Sequence, residues 1–199
     1  MKIPTSIKNF IDSFSRLPSV GPRMAHRLAF HILNMEKHEI KSINEAIAKL
    51  KDVDRCPVCF FIKNTNEKVC SICSDKNRNK KEVLIIEKET DLISIENSQS
   101  FNGIYLIIGQ GNIRGGLSDK QKKRIKNLKN LVNKKNTKLN EVIIALNQTT
   151  EGDMTYQLIK KEIEEITSKI SKLGRGLPTG GEIEFADEET LSNALDSRS

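Results

Sequence analysis

The sequence holds no run of apolar residues long enough to cross a bilayer. Stretches such as Ile104–Ile108 and Val142–Leu146 stop at five residues, far short of the roughly 18 that a membrane-spanning helix needs. Near the N-terminus, Ile7, Phe10, Ile11 and Phe14 recur at helical spacing, the mark of an amphipathic helix and not of the continuous apolar core of a signal peptide. These absences predict a cytoplasmic protein with no membrane partner. Proline and glycine are sparse, 5 and 11 in 199 residues, which excludes a collagen-like fibre, and 37% hydrophobic against 30% charged residues describes a chain that buries a real core. There is no G-x-x-x-x-G-K-[ST] phosphate loop, so ATP hydrolysis has no visible apparatus. The three histidines, His26, His31 and His38, all lie in the N-terminal part and suggest no Ser-His-Asp order. Tyr105, one of two tyrosines, sits inside an apolar run and reads as core.

What the chain has in excess is positive charge, 33 Lys+Arg against 26 Asp+Glu, or +7. Residues 1–80 carry 15 basic and 8 acidic side chains, residues 81–138 carry 12 and 6, and residues 139–199 carry 6 and 12. A field concentrated in the first two thirds favours polyanions, and nucleic acid is the commonest of these in a cytoplasm. A lysine-rich, solvated surface would give the same sum.

At about 150 residues per domain, the length predicts one domain with an accessory piece, or two small domains. Residues 1–54 read as helices: the amphipathic segment at Ile7, a second with Met24, Ala25, Leu28, Ala29 and Ile32 on one side, and a third stripe at Ile40, Ile43, Ile47 and Leu50. Pro22 suits a first helical turn, where a missing N–H costs nothing. Four cysteines then interrupt the periodicity, and 75–81 is a polar, basic connector. From Glu82 the pattern alternates. Strands are predicted at 82–86, 104–108 and 142–146, continuous and β-branched as in parallel sheets covered on both faces. Helices are predicted at 90–97, 118–135 and 155–171, the last with Ile159, Ile163, Ile166 and Ile170 in one stripe. This order implies a right-handed α/β sheet. A short strand at Glu182–Phe185 and a polar tail from Asp196 complete the expectation: an α+β multidomain chain bounded at 1–54, 55–78, 79–175 and 176–199.

The cysteines occur as Cys56-x-x-Cys59 and Cys70-x-x-Cys73. Two-residue spacing lets one tight turn aim two thiolates at a point, and two such turns supply the tetrahedral sulfur set that zinc prefers. Two disulfides are the rival, but a reduced cytoplasm opposes them. With all four positions cysteine, no ligand position remains for a catalytic water. The expectation is one structural zinc per chain, which would bring the formal charge from +7 to about +5.

Leu17-Pro18-Ser19-Val20-Gly21-Pro22-Arg23-Met24-Ala25 resembles the helix-hairpin-helix pattern, whose turn offers backbone N–H groups and a helix N-terminus to a phosphate and so binds DNA without reading bases. The pattern usually has glycine where Ser19 stands. Arg23 and Arg27, with His31 one turn on, would line one helical face; the alternative is a plain αα-hairpin with a solvated basic face. A second basic stretch, including Lys120, Lys122, Lys123, Arg124, Lys126 and Lys129, reads mostly as the solvated side of an amphipathic helix.

In open parallel sheets functional groups gather at the carboxyl ends of the strands. Those ends carry Glu87, then Gly109-Gln110-Gly111, then 147–153. The arrangement resembles the Toprim domain, in which a glutamate after the first strand and a D-x-D pair after a later one hold Mg²⁺. Glu87 matches the glutamate; Asn147 and Thr149 stand where the aspartates belong. Mg²⁺ needs anionic oxygens, and an amide or a hydroxyl does not replace them. Strand cleavage is therefore not expected, although Glu151 and Asp153 remain nearby.

A helix-hairpin-helix, a four-cysteine zinc finger and a degenerate Toprim domain, in that order, resemble the RecR family of bacterial recombination proteins. Val69–Ser74, Thr150–Asp153 and Gly176–Glu184 are similar to that family's signatures. The resemblance implies a non-catalytic, DNA-binding recombination mediator in DNA repair, associated with the nucleoid. It would work with RecO and RecF at single-strand gaps to help load RecA, as a ring-like homo-oligomer, a tetramer or a dimer. It assigns DNA binding to Arg23 and Arg27, metal binding to Cys56, Cys59, Cys70 and Cys73, and partner docking to Glu87, Glu151 and Asp153. Two other functions stay open on the residues alone: a Mg²⁺-dependent nuclease or topoisomerase-like enzyme, and a zinc protein-interaction adaptor without DNA affinity.

Overall fold

The computed structural model describes residues 3–111, 116–136, 138–174, 176–177 and 179–196, and the chain divides after Val53 into two compact units. The first is helical: α1 (Thr5–Phe14), α2 (Pro22–Leu33) and α3 (Lys37–Lys49). The small side chains of Ala25 and Ala29, four apart on α2, bury against Ile11 of α1. Phe10 and Phe14 stack at 3.9 Å between ring centroids and close this small core. A capping box starts α3, with the Glu36 N–H donating to the Glu39 carboxylate at 2.9 Å. The expected stripe on α3 exists but buries nothing: Ile43, Ile47 and Leu50 are exposed.

The second unit begins with two short strands that the sequence did not signal, β1 (Val53–Arg55) and β2 (Ile62–Asn64), paired around the first cysteine turn; the four-residue α4 (Ser71–Ser74) holds the second. Then come β3 (Asn79–Ile86), α5 (Glu89–Ser98), β4 (Gly103–Ile107), α6 (Asp119–Lys135), β5 (Glu141–Ala145), α7 (Thr150–Ile163) and β6 (Ile170–Lys172). The strands form one parallel sheet in the order β4-β3-β5-β6. Alternate residues face opposite sides. Val83, Ile85, Leu106, Val142 and Ile144 pack with Ile125 and Leu128 of α6 and with Ile159 and Ile163 of α7. Leu84, Ile86, Tyr105 and Ile107 pack with Leu92 of α5 and with the cysteine turns. Each fully buried isoleucine or leucine contributes roughly 1.5–3 kcal/mol, so both faces hold the sheet. Tyr105 is core, as expected, its hydroxyl donating to Glu96 at 2.6 Å.

Three expectations need correction. The helix placed at 155–171 starts at Thr150, because Thr149 Oγ1 caps it by accepting from the Gly152 N–H at 3.1 Å, and it stops at Ile163. Ile170 belongs instead to β6, whose register Val142↔Ile170 and Ile143↔Ser171 satisfies the open side of β5. The connector 75–81 is not merely solvated: Arg78 is largely buried, ion-paired to Glu96 and donating to the Gly103 carbonyl at 3.1 Å, and β3 begins at Asn79. Glu182–Phe185 is no strand but a 3-10 turn, Ile183–Phe185, with both hydrophobic side chains exposed, ahead of α8 (Glu188–Asp196). Residues 112–115, which follow Gly109-Gln110-Gly111, and 197–199 of the polar tail lie outside the described residues. No helix of the described residues is long and apolar enough to cross a membrane.

Candidate functional site

Each cysteine pair is wrapped by its own backbone. Phe60 N–H donates to the Cys56 carbonyl at 3.0 Å, and Cys56 N–H to the Phe61 carbonyl at 2.7 Å; Ser74 N–H closes the second turn on Cys70 at 3.0 Å. The two turns come together, and all four Sγ atoms lie within 4.8 Å of one another. Four ligands at 2.3 Å in a tetrahedron have sulfurs about 3.8 Å apart. Cys59 and Cys70 stand at 3.4 Å, and all four thiols are free of disulfides. Phe61 and Cys70 N–H groups point at the sulfurs of Cys59 and Cys56, at 3.4 and 3.5 Å. Such donors stabilise thiolates. Hydrogen bonding from Cys59, then from Cys70 and Cys73, pulls the Cys56 thiol well down, while hydrogen bonding with Cys56 above all pushes Cys59 and Cys73 up. Four thiols this close ionise together only around a cation, so the donor set fits a thiophilic divalent metal. Among the described residues this is the sole cluster of three or more His, Cys, Asp or Glu ligand atoms of that kind.

The cysteine turns are anchored to the sheet by a residue that charge patterning put on the wrong side. Arg124 is 6% exposed. Its Nη1 donates to the Ile107 carbonyl at 2.7 Å, and its guanidinium lies 4.7 Å from the centroid of the Phe60 ring. Burial and then the nearby Arg55 lower its pKa. Phe60 takes a left-handed φ of 64°, a conformation that costs a non-glycine residue about 1–2 kcal/mol; the cation-π contact offsets a comparable amount. Arg55 donates to the Phe60 carbonyl at 3.1 Å and pairs with Glu89. A signal was present in the sequence: Gln121 and Arg124 continue the stripe of Ile125, Leu128 and Val132 toward the start of α6, and both are buried.

In the helical unit, Val20 N–H donates to the Leu17 carbonyl at 3.1 Å, closing a turn with Pro18 and Ser19 at its centre. Ser19 has φ 65°, the left-handed value that a type II turn demands at that position. The serine thus occupies a glycine conformation. Gly21 precedes α2 with extended backbone, Pro22 is its first residue, and no side chain caps this N-terminus. A Cβ on Gly21 would meet nothing within 4 Å, so the backbone here is open to a close ligand. Arg23, Arg27 and His31 are exposed along α2, and neither arginine forms an ion pair among the described residues.

At the carboxyl edge of the sheet, the two residues in the aspartate positions have other work. Asn147 Nδ2 donates to Glu87 Oε2 at 2.6 Å, and Thr149 Oγ1 caps α7. Gly152 is required: a Cβ would lie 2.0 Å from the Asn147 carbonyl oxygen, so only glycine lets α7 start against this loop. Burial, then Asp91, and also Glu151 raise the Glu87 pKa, against a lowering from Asn147. Glu151 is thus within electrostatic reach of Glu87, whereas Asp153 pairs with Lys172, whose ammonium also lies 5.5 Å from the centroid of the Tyr156 ring. The three acidic residues expected to form one edge therefore divide: Glu87 faces Asn147 and feels Glu151, and Asp153 turns to β6.

These parts define a class: a helix-hairpin-helix unit joined to a Toprim domain that carries a four-cysteine cluster. Comparison with protein families matches three segments of the chain. The RecR helix-hairpin-helix model matches residues 7–51, the Toprim domain model 81–174, and the RecR C-terminal model 176–199. The chain belongs to the RecR family, which supports a role in recombination repair and suggests binding to DNA.

Proposed function

We propose that this protein is a non-catalytic DNA-binding recombination mediator that acts with RecO and RecF at single-strand gaps to help load RecA. The observation that carries the reading is the Asn147–Glu87 hydrogen bond. A carboxamide N–H occupies the glutamate oxygen where a metal-holding edge would need a second anion, so the edge lacks the anionic oxygens that Mg²⁺ requires. DNA is held at the other unit, where Arg23 and Arg27 flank the open N-terminus of α2 and bind backbone phosphates irrespective of sequence. Cys56, Cys59, Cys70 and Cys73 hold one structural zinc, which ties residues 56–73 into a rigid cap on the sheet. Glu87, Glu151 and, apart from them beside Lys172, Asp153 serve the docking of RecO or RecF. The working parts are 1–54 for DNA, 55–78 for zinc, 79–175 for the Toprim domain and 176–199 for assembly. The assembled form is a ring-like homo-oligomer, a tetramer or a dimer, in the cytoplasm at the nucleoid.

Gapped-duplex binding across a salt series tests this. Arg23→Ala with Arg27→Ala should weaken binding at least 10-fold on every sequence and flatten the log–log salt slope by about two. Unchanged affinity and slope would contradict it. The absence of any gel shift at low salt would favour the zinc adaptor instead.

A further inference from the structure

The outer edge of β4 is tied down at both ends. Ile107 N–H donates to the Cys59 carbonyl at 2.9 Å and the Ile107 carbonyl accepts from Arg124; at the other end Arg78 donates to the Gly103 carbonyl. Tyr105, between these anchors, is only 1% exposed. A cavity of about 390 Å³ lies there, lined by Tyr105 and Ile104, by Val58 of the cysteine turn, and by Leu128 and Leu131 of α6. Cys73 also lines it, as do three exposed lysines, Lys80, Lys81 and Lys138. None of the three forms an ion pair among the described residues, although other lysines do.

We propose that this groove docks an extended, acidic peptide segment of a protein partner, with one bulky apolar side chain in the cavity and flanking carboxylates on Lys80, Lys81 and Lys138. The volume is in the range of ligand-binding pockets and suits a bulky side chain, not a helix. Charge sets the partner's sign: three unpaired ammonium groups around an apolar floor repel a basic segment and attract carboxylates more strongly than the open surface does. The chain's own acidic C-terminal segment is a poorer fit in shape, since Ile183–Phe185 is a 3-10 turn and Glu188–Asp196 is a helix. This site lies away from Glu87 and Asn147 and does not depend on the function proposed above.

The test is fluorescence anisotropy of the full-length, metal-loaded protein with a labelled eight-residue peptide of aspartates around one phenylalanine. Control peptides replace the aspartates by lysine, or the phenylalanine by serine. The parent peptide should bind at least 10-fold tighter than either control. Lys81→Glu with Lys138→Glu, and separately Leu131→Ser, should each lower its affinity at least 10-fold without altering affinity for gapped DNA. Equal binding of the three peptides, or indifference to the lysine changes, overturns the proposal. So does an absence of peptide binding accompanied by a fall in solution mass on Lys81→Glu with Lys138→Glu, which would make the groove a contact between copies of this chain.

Discussion

The helical unit before Val53 and the sheet unit after it place their apolar side chains in opposite ways. In the first, Ile11, Ala25 and Ala29 are buried while Leu33, Ile47 and Leu50 are each more than half exposed. In the second, a four-stranded sheet is covered on both faces and its central side chains on β3 are 0–3% exposed. A unit of about 50 residues buries too small a fraction of its surface to be robust alone, and a contiguous exposed apolar stripe marks an interaction surface. The difference teaches that the sheet unit carries the fold's stability, while the helical unit leaves both its cationic turn and its apolar stripe exposed.

The comparison breaks first at the cysteines. Cys59→Ser, or chelation, should cost several kcal/mol and expose amides in 56–73 to hydrogen exchange, with the α1–α2 amides unchanged; equal loss of protection in both units would contradict the account. Next, Ile85→Ala should destabilise the sheet unit by about 3–4 kcal/mol, whereas Ile47→Ala on α3 should shift monomer stability by less than about 0.5 kcal/mol. Urea unfolding followed separately by far-UV and cysteine-reactivity probes distinguishes the two.

Ser19→Gly sharpens the contrast in the other direction. Relieving a left-handed serine should stabilise the helical unit by up to about 1 kcal/mol, reduced by glycine's unfolded-state entropy, and a higher melting temperature of that unit alone would show it. The smallest effect belongs to Glu87. Its folded pKa is raised above the ordinary 4.5 by burial and by Asp91 and Glu151, so its contribution is fully present below pH 4.5 and is lost as pH rises through the folded value. Glu87→Gln should therefore gain a few tenths of a kcal/mol at neutral pH, and the gain should vanish in acid. A gain that persists below pH 4 would show that packing, not charge, is responsible.

Much of this was written locally. The cores of β3, β4 and β5 follow from their apolar runs, α6 begins at the Ser118 cap, and the CxxC spacing brings the thiols together. What local pattern missed was decided by tertiary pairing. Ile159, Ile163, Ile166 and Ile170 have helical spacing, yet Ile170 is drawn into β6 because β5 has an unpaired side. Arg78 and Arg124 look solvated until Glu96, Ile107 and Phe60, distant in sequence, are folded against them. At the Toprim edge the missing aspartates were legible, but their replacements' occupations were not: the Asn147 contact with Glu87 spans 60 residues, and Asp153 finds Lys172 only once β6 has formed.

The most direct measurement is incubation of the protein with an end-labelled gapped duplex in Mg²⁺ or Mn²⁺, read for both retention and strand integrity. The account predicts a salt-sensitive complex that depends on Arg23 and Arg27, with every strand intact. Metal-dependent cleavage that disappears on Glu87→Gln would contradict it.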